Sequence, residues 1–423
     1  MKKKIIVRGP ALSQSGYGEH TRFVLRSLKM REDQFDIHIL PTSWGHTGWI
    51  AIDNEERRWI DERVNLATER LQQKLPYDIS VQVTIPNEWQ KMADINIGVT
   101  AGIETNKVSP AWIHQSNLMD KIITISEHSK SGFGTTYSGH NPQNNQTVHL
   151  KCNTPVEVAH YPVKTFDELP DIKLELDYDF NYITIAQWGP RKNLSNIIRW
   201  FVEENHDQEV GLIIKTSLKN GSVIDREHVE NQIKSCIPEI PDCKCKIYLL
   251  HGDMTEKEIH SLYKHPKVKV MLSLTHGEGF GLPLFEAAYT GLPIIAPGWS
   301  GQTDFLYMPF NSKSKKGNKR KAGFAEVDFT LGPIPEEAYW QGVIEKDMVW
   351  CYPTEGSFKL RLRQVRKGYD KWLKKAKKLQ EWVCEEFAWG AKHENLSKHL
   401  VSQEEVELMA EIDEMFKELD VDE

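Results

Sequence analysis

Residues 276–288 read His-Gly-Glu-Gly-Phe-Gly-Leu-Pro-Leu-Phe-Glu-Ala-Ala, which sets two carboxylates, Glu278 and Glu286, around a glycine-rich turn. Gly279 and Gly281 let the backbone N–H groups of Gly279, Phe280, Gly281 and Leu282 come close to an anion. Pro283 suits the first turn of a helix, where its missing N–H would be unpaired anyway. Glu278 then stays in the loop, and Glu286 falls about one turn into a helix whose N-terminus adds positive potential. Carboxylates accept hydrogen bonds from sugar hydroxyls, so a pair of them beside a phosphate site suggests a sugar nucleotide. The plain alternative is a tight strand–helix turn with two incidental glutamates. Further candidates lie elsewhere in the chain. Trp188-Gly189-Pro190-Arg191-Lys192-Asn193-Leu194 is a basic turn, Lys215 ends the run Leu212-Ile213-Ile214, and Ser15-Gly16-Tyr17-Gly18-Glu19-His20 follows the first apolar run. Lys215 would point out of a strand's carboxyl end, where a solvated side chain and a second phosphate contact are the two readings.

These residues need elements to hold them. Short β-branched runs at 4–8, 35–40, 79–85, 95–99, 121–125 and 156–161 form one series, and runs at 182–187, 210–216, 246–251, 268–272 and 293–296 form a second. Helix-length segments separate them, which predicts βαβ units and parallel sheets covered on both faces. The expectation is an α/β protein of two doubly wound, Rossmann-like domains facing a central cleft. The first spans 1–168, the second 169–390, and a helical acidic tail covers 391–423. Ligands of such sheets sit at the carboxyl ends of the strands, so the cleft is the expected site.

Composition removes other classes. Hydrophobic residues at 39% and aromatics at 10% are too many for a disordered chain. No apolar run approaches the ~18 residues of a membrane span. Met1-Lys2-Lys3-Lys4 is basic, but Ile5-Ile6-Val7 is expected to be a first strand rather than a signal-peptide core. Six cysteines without a Cys-x-x-Cys pair, with Cys243 and Cys245 one residue apart, fit reduced thiols in a cytoplasmic protein rather than zinc or disulfides. Charge is uneven: residues 313–378 hold 17 Lys/Arg against 8 Asp/Glu in a chain of net −7. Within them, 313–321 is expected to be an exposed loop. The spacing of Leu362, Val365, Tyr369, Trp372, Leu373, Ala376 and Leu379 predicts one helix over 359–378. The last twenty residues carry ten Asp/Glu against Lys417 alone, an expected solvated helix with a frayed tip.

Glu278 and Glu286 end a Glu-x7-Glu motif, with Gly-Phe-Gly-Leu-Pro inside it and Gly291-Leu292-Pro293 after it. This pattern resembles glycosyltransferase family 4, a family of retaining, metal-independent GT-B enzymes that use nucleotide-sugar donors. The resemblance runs over nearly the whole chain and is strongest from Gly189 to Phe305. It implies that Glu278 contacts donor sugar hydroxyls and Glu286 the nucleotide ribose. It implies also that the backbone amides of Gly279–Leu282 hold the distal phosphate and the sugar. The turn at 188–194 resembles the family's basic diphosphate clamp. Where the family usually has an arginine several residues earlier, this chain has Gln187 and Trp188, which leaves Arg191 or Lys192 as the phosphate contact. Gly16 and Gly18 resemble the loop that faces the donor phosphate across the cleft. Ser300-Gly301-Gln302-Thr303-Asp304 matches the family's turn after the following strand, a matter of architecture more than chemistry.

On the acceptor side the candidates are Glu104, His20 and His114. Glu104 has helix capping or an ion pair as its alternative role, and a lone histidine is more often structural. The loop 43–49, with Trp44, His46 and Trp49, could stack on a sugar or base or cover a core edge. Asp177-Tyr178-Asp179 and Asp420-Val421-Asp422 are literal Asp-x-Asp matches, read as solvated turns, so neither a metal nor a cofactor is expected beyond a nucleotide-sugar co-substrate, a UDP- or GDP-sugar. Lys192, Lys215 and the backbone amides are expected to stabilise the departing diphosphate, with Glu278 and Lys192 at the reacting centre. The acceptor is open: the basic region 313–378 admits an anionic glycan, DNA or a membrane surface. Competing readings are a GT-B epimerase or phosphorylase and, from another class, a nucleic-acid-binding protein with a vestigial sugar site.

Overall fold

Ile5-Ile6-Val7, Ile122-Ile123 and Leu212-Ile213-Ile214 are all completely buried, which suits strands covered on both faces by helices. In the computed structural model, which describes residues 2–45, 47–140, 146–219, 221–309 and 320–400, such runs build two six-stranded parallel sheets. Across the first, the strands lie in the order Phe35–Pro41, Lys3–Gly9, Ile79–Val83, Ile95–Thr100, Lys121–Thr124, Val156–Val158. Across the second the order is Lys246–Leu250, Gly211–Lys215, Asn181–Ile185, Val268–Leu272, Ile294–Pro297, Ala325–Val327. In each sheet the order reverses beside the first strand. The chain there leaves in opposite directions and opens a crevice at the carboxyl ends. Into these crevices project the turn before the helix Gly16–Lys29, the basic turn at 188–193 and the loop at 273–281.

Every expected strand is present, with ends moved by up to three residues. Ala325–Val327 was not expected: it pairs Ile295 with Ala325 and closes the second sheet inside the basic region. The single helix expected over 359–378 is two helices, Glu355–Lys367 and Tyr369–Glu386, which meet at Gly368. The apolar stripe runs through the break. Leu362 and Val365 pack with Tyr369 and Trp372 under one face of the second sheet, while Leu379 joins the core on the other side.

Two late segments return to the first sheet. The helix Trp389–His399, assigned by sequence mostly to the acidic tail, packs on Gly16–Lys29, with Ser27 Oγ 2.8 Å from His393 Nδ1 and the Phe23 and His393 rings in edge contact. The hairpin of Phe329–Pro333 and Val349–Pro353 carries a loop that crosses the cleft. Val343 of that loop is buried among Ile85, Trp89, Val108 and Trp112 of the first domain. The Gly342 carbonyl accepts from Asn87 Nδ2 (3.0 Å) and Ser109 Oγ (2.6 Å), and Lys107 pairs with Asp347 at 2.5 Å. The tail 401–423, with Asp420 and Asp422, lies outside the described residues, as do His46 and positions 313–319 of the basic loop.

Candidate functional site

After the strand Val268–Leu272 the chain makes a tight loop and re-enters a helix at Leu282–Tyr289. Gly281 takes φ +95°, a left-handed conformation that glycine adopts without strain, and Pro283 stands in the first turn. The turn at 298–304 braces this loop from behind: Ser300 Oγ accepts from the Glu278 N–H at 2.9 Å, and the Gly301 N–H donates to the Glu278 carbonyl at 2.9 Å. The Glu278 side chain is held almost out of solvent. Its Oε1 is 2.5 Å from Lys192 Nζ, and its Oε2 is 3.1 Å from Arg191 Nη1. Burial alone would push this carboxyl up, but Lys192 and Arg191 hold it down to about 2. Burial lowers Lys192, and Glu278 opposes that.

Arg191 also reaches across the cleft. Its Nη2 is 3.2 Å from Glu104 Oε1, so Glu104, Arg191, Glu278 and Lys192 form one alternating chain of charges spanning both domains. Glu104 thus makes the ion pair that was one of its two readings. The partners lie too far apart in sequence for any local spacing to announce the pair. The glycines beside Glu278 serve this closure: a Cβ on Gly277 would stand 2.1 Å from the Glu104 carbonyl, and one on Gly279 would stand 2.0 Å from the Ala101 carbonyl. Ser126 Oγ donates to the Gly279 carbonyl at 2.6 Å, and Asp304 accepts from the Glu127 N–H at 2.8 Å while meeting His160 Nε2 at 2.9 Å. Phe280 turns its ring into a cluster with Tyr161, Phe285 and Phe305.

Glu286 lies in a second charged group. Its Oε2 accepts from the Tyr263 hydroxyl at 3.1 Å, and burial pushes its carboxyl up to about 7, with Lys164 opposing. Lys164 is itself 2.7 Å from Glu19 Oε1 and 2.8 Å from Glu256 Oε1, and Glu19 is further paired with Arg22 and Arg26. Glu19 belongs to the helix opened by the glycine turn. There Ser15 Oγ caps the Gly18 N–H at 3.0 Å, Gly18 is packed against the Ser13 carbonyl, and Gly16 has open space where a side chain would be. Tyr17 lies against Trp44 of the 43–49 loop, ring centroids 4.1 Å apart, while Trp49 is half exposed.

Lys215 and the two histidines are not drawn into these groups. Lys215 Nζ donates to the Gly252 carbonyl, and burial lowers its pKa against the pull of Asp253. His20 is completely buried between Phe23 and Tyr161 with no hydrogen-bond partner among the described residues, and burial takes its pKa down to about 3. It is a core residue of the domain junction, not a polar group on an acceptor face. His114 is exposed on the helix Pro110–Ser116, away from the charged chain. Of the residues that do build the site, Lys164 and Tyr263 carry no sequence signal, since neither belongs to a motif, while Asp304 ends the 300–304 turn read as architecture. Asp177 takes the Tyr248 hydroxyl and Asp179 pairs with Lys267, both on the rim of the second sheet. Among the described residues, no group of three or more His, Cys, Asp or Glu side chains could hold a metal ion. A surface cavity of roughly 400 Å³ between the helices Gly16–Lys29 and Glu55–Gln72 touches Arg26 and Glu56 but none of the predicted site residues.

Residues 167–306 match the family model described as glycosyl transferases group 1. No curated protein sequence matches the chain. Among solved structures, a glycosyltransferase from Rickettsia africae is 11% identical, with a TM-score of 0.57 over 95% of this chain and 99% of that one. HepE of Anabaena, in complex with UDP and glucose, is 12% identical, with a TM-score of 0.56 over 94% and 99%. Sucrose-phosphate synthase from Thermosynechococcus elongatus is 10% identical, with a TM-score of 0.56 over the whole of both chains. The fold is therefore that of the GT-B glycosyltransferases.

Proposed function

We propose that this chain transfers a sugar from a nucleoside diphosphate to an acceptor hydroxyl, with retention at the anomeric carbon and without a metal. The observation that carries the reading is the buried Glu278 carboxylate clasped by Lys192 and Arg191 at the strand ends of the second sheet, against the backbone of the first domain. In the reaction the bond from the sugar C1 to the diphosphate oxygen breaks, and a bond from C1 to the acceptor oxygen forms. The acceptor proton passes to the departing phosphate, so no protein base is assigned. Lys192 is the cation placed to follow the diphosphate as its charge grows, leaving Glu278 free to accept from donor sugar hydroxyls. Arg191 stays with Glu104 and holds the domains together. Glu286 is assigned to the ribose and the N–H groups of Gly279–Leu282 to the distal phosphate, with Gly16 and Gly18 facing them. Lys215, bonded to Gly252, serves as a second cation only if that bond is exchanged for phosphate.

The group 1 match supports the donor class, and the UDP seen with HepE favours a uridine nucleotide for this chain. Six free cysteines fit a reducing, cytoplasmic setting, and no helix among the described residues is long and apolar enough to cross a membrane. For the acceptor, an anionic partner at the basic region has less free charge behind it than the composition suggested. Lys359 pairs with Glu203, Arg363 with Glu204, and Arg361 and Lys375 donate to the backbone carbonyls of Glu326 and Phe324. Screening the purified protein against UDP-, GDP-, ADP- and dTDP-sugars while following nucleotide release tests the reading. No turnover with any donor across a broad acceptor set, beside intact folding, refutes it.

A further inference from the structure

Asp242-Cys243-Lys244-Cys245 lies between the helix Val223–Cys236 and Lys246–Leu250, the edge strand of the second sheet. The two cysteine sulfurs are 3.6 Å apart. The backbone between them is fastened on both sides: the Lys244 N–H donates to the His206 carbonyl at 2.6 Å, and the Lys244 carbonyl accepts from the Tyr178 hydroxyl at 2.8 Å. Asp242 turns the chain with φ +54°, and the Lys246 N–H donates to the Val210 carbonyl at 3.0 Å as the strand begins. A chain pinned at these points keeps both thiols on one face, as alternate residues entering a strand share a face. The two differ in access. Cys245 is buried in the apolar core of the second sheet, and Cys243 is half-buried against it. Burial first, and then the Cys243 sulfur, push the Cys245 thiol up to about 12. The Cys152 and Cys384 thiols turn instead to the backbone carbonyls of Thr154 and Tyr289, and Cys351 is completely buried.

We propose that Cys243 and Cys245 are a reversible oxidation site, at which a peroxide converts the two thiols into an intrachain disulfide. Cys243, the thiol that solvent reaches, attacks one oxygen of hydrogen peroxide as its thiolate. The O–O bond breaks, Cys243 becomes a sulfenic acid, and the departing hydroxide takes up the proton that the thiol gave, leaving as water. The Cys245 sulfur then attacks the Cys243 sulfur. The S–O bond breaks, and the hydroxyl leaves with the Cys245 proton as a second water. In all, the thiols lose two electrons and two protons, and one peroxide is reduced to two waters. From the 3.6 Å contact the sulfurs must close by about 1.5 Å to bond, a movement within reach of side-chain rotation. So short a loop adds little stability when cross-linked. The bond is therefore a transient one, formed under peroxide and removed by thiols. Its use to the chain is protection, since a sulfenic acid captured by a neighbouring thiol escapes irreversible oxidation to sulfinic acid. The pair sits at the amino end of its strand, opposite the carboxyl ends where the donor is assigned, so the proposal stands apart from that assignment.

The test treats the fully reduced protein with hydrogen peroxide, blocks the remaining thiols with iodoacetamide and sequences the digested peptides by tandem mass spectrometry. The expected product lacks two hydrogens, joins Cys243 to Cys245 and returns to the free thiols with dithiothreitol. Cys384, exposed and turned to the Tyr289 carbonyl, is the comparison within the chain and should pass on to sulfinic acid. Cys245→Ser should leave Cys243 as a sulfenic acid that dimedone traps and that then proceeds to sulfinic acid. Because Cys245 is a core residue, Cys245→Ala serves as the second variant, keeping the site apolar, and should behave alike. Cys236→Ser should leave the product unchanged. The proposal is overturned if both thiols stay open to iodoacetamide after peroxide, or if Cys243 pairs with Cys236 instead. It is overturned equally if Cys243 reaches sulfinic acid as fast in the parent as in Cys245→Ala.

Discussion

Replacing Glu278 by glutamine keeps the side chain's size and removes the charge that two buried cations depend on. A carboxyl held at about 2 rather than its ordinary 4.5 contributes roughly 3 kcal/mol of stability at neutral pH. The glutamine amide would also face the Lys192 ammonium at a contact that is now 2.5 Å, which sits at the lower end of the ~3–5 kcal/mol seen when one member of a buried pair is removed. Because the two domains share a core they melt together, and over a unit of about 400 residues a loss of that size lowers the melting temperature by roughly 3–6 °C. The sign of the pH dependence follows from the depressed pKa. The advantage of the parent is complete above about pH 4.5, shrinks as pH falls, and is gone below about 2, so at pH 3 roughly 1–2 kcal/mol of it remains. Scanning calorimetry of parent and Glu278→Gln at pH 7 and pH 3 measures both quantities. Adding Lys192→Met should recover part of the loss, because the unpaired ammonium goes with it. Equal melting temperatures at pH 7, or a gap that does not narrow at pH 3, would show that the Lys192–Glu278–Arg191 contact is solvated and would undo the reasoning.

Glu286→Gln should act in the opposite sense on stability. A buried carboxyl raised to about 7 penalises the folded state increasingly from pH 4.5 to 7, so the variant should be up to roughly 3 kcal/mol more stable at pH 8 in thermal melts. The same variant should bind nucleoside diphosphates about ten- to a hundredfold more weakly, from the ~1.5–3 kcal/mol of a charged hydrogen bond. Gly279→Ala drives a methyl into the Ala101 carbonyl, so small-angle scattering should show a more open molecule and turnover should collapse. Activity should survive EDTA, and loss restored by manganese would revive a metal-dependent reading. Serine at Lys313, Lys315, Lys316, Lys319, Arg320 and Lys321 should flatten the salt dependence of acceptor-dependent turnover if the acceptor is anionic; an unchanged salt slope beside intact donor hydrolysis removes that acceptor class.

The sheets were legible because parallel strands are buried on both faces and therefore spell themselves as unbroken β-branched runs, as Leu212-Ile213-Ile214 does. Ala325–Val327 is too short and carries Glu326 at its centre, so nothing in its composition announces a strand. The break at Gly368 has no signature in the apolar spacing, because Val365, Tyr369 and Trp372 keep helical spacing straight through it. Glu278 and Glu286 were readable from one compact motif. Their electrostatic setting was not: Arg191 meets Glu104, and Lys164 meets Glu19 and Glu256, over separations that only the folded chain brings together. His20 takes the structural role that a lone histidine more often has. It lies on the covered side of its helix, packed against Phe23 and Tyr161, where a polar side chain meets no water.

Val343 has a consequence for anyone who wishes to cut this protein in two. By chain tracing, the first Rossmann unit ends near the linker; by core composition it does not. Its apolar cluster around Trp89 and Trp112 is plugged by a valine some 180 positions beyond that linker, and its leading helix is roofed by Trp389–His399. A fragment ending at the linker would expose a hole lined with indole rings and a bare helix face, the kind of surface that recruits other chains. Excision, domain swapping or circular permutation should respect the borrowed pieces: the smallest self-sufficient unit is the pair.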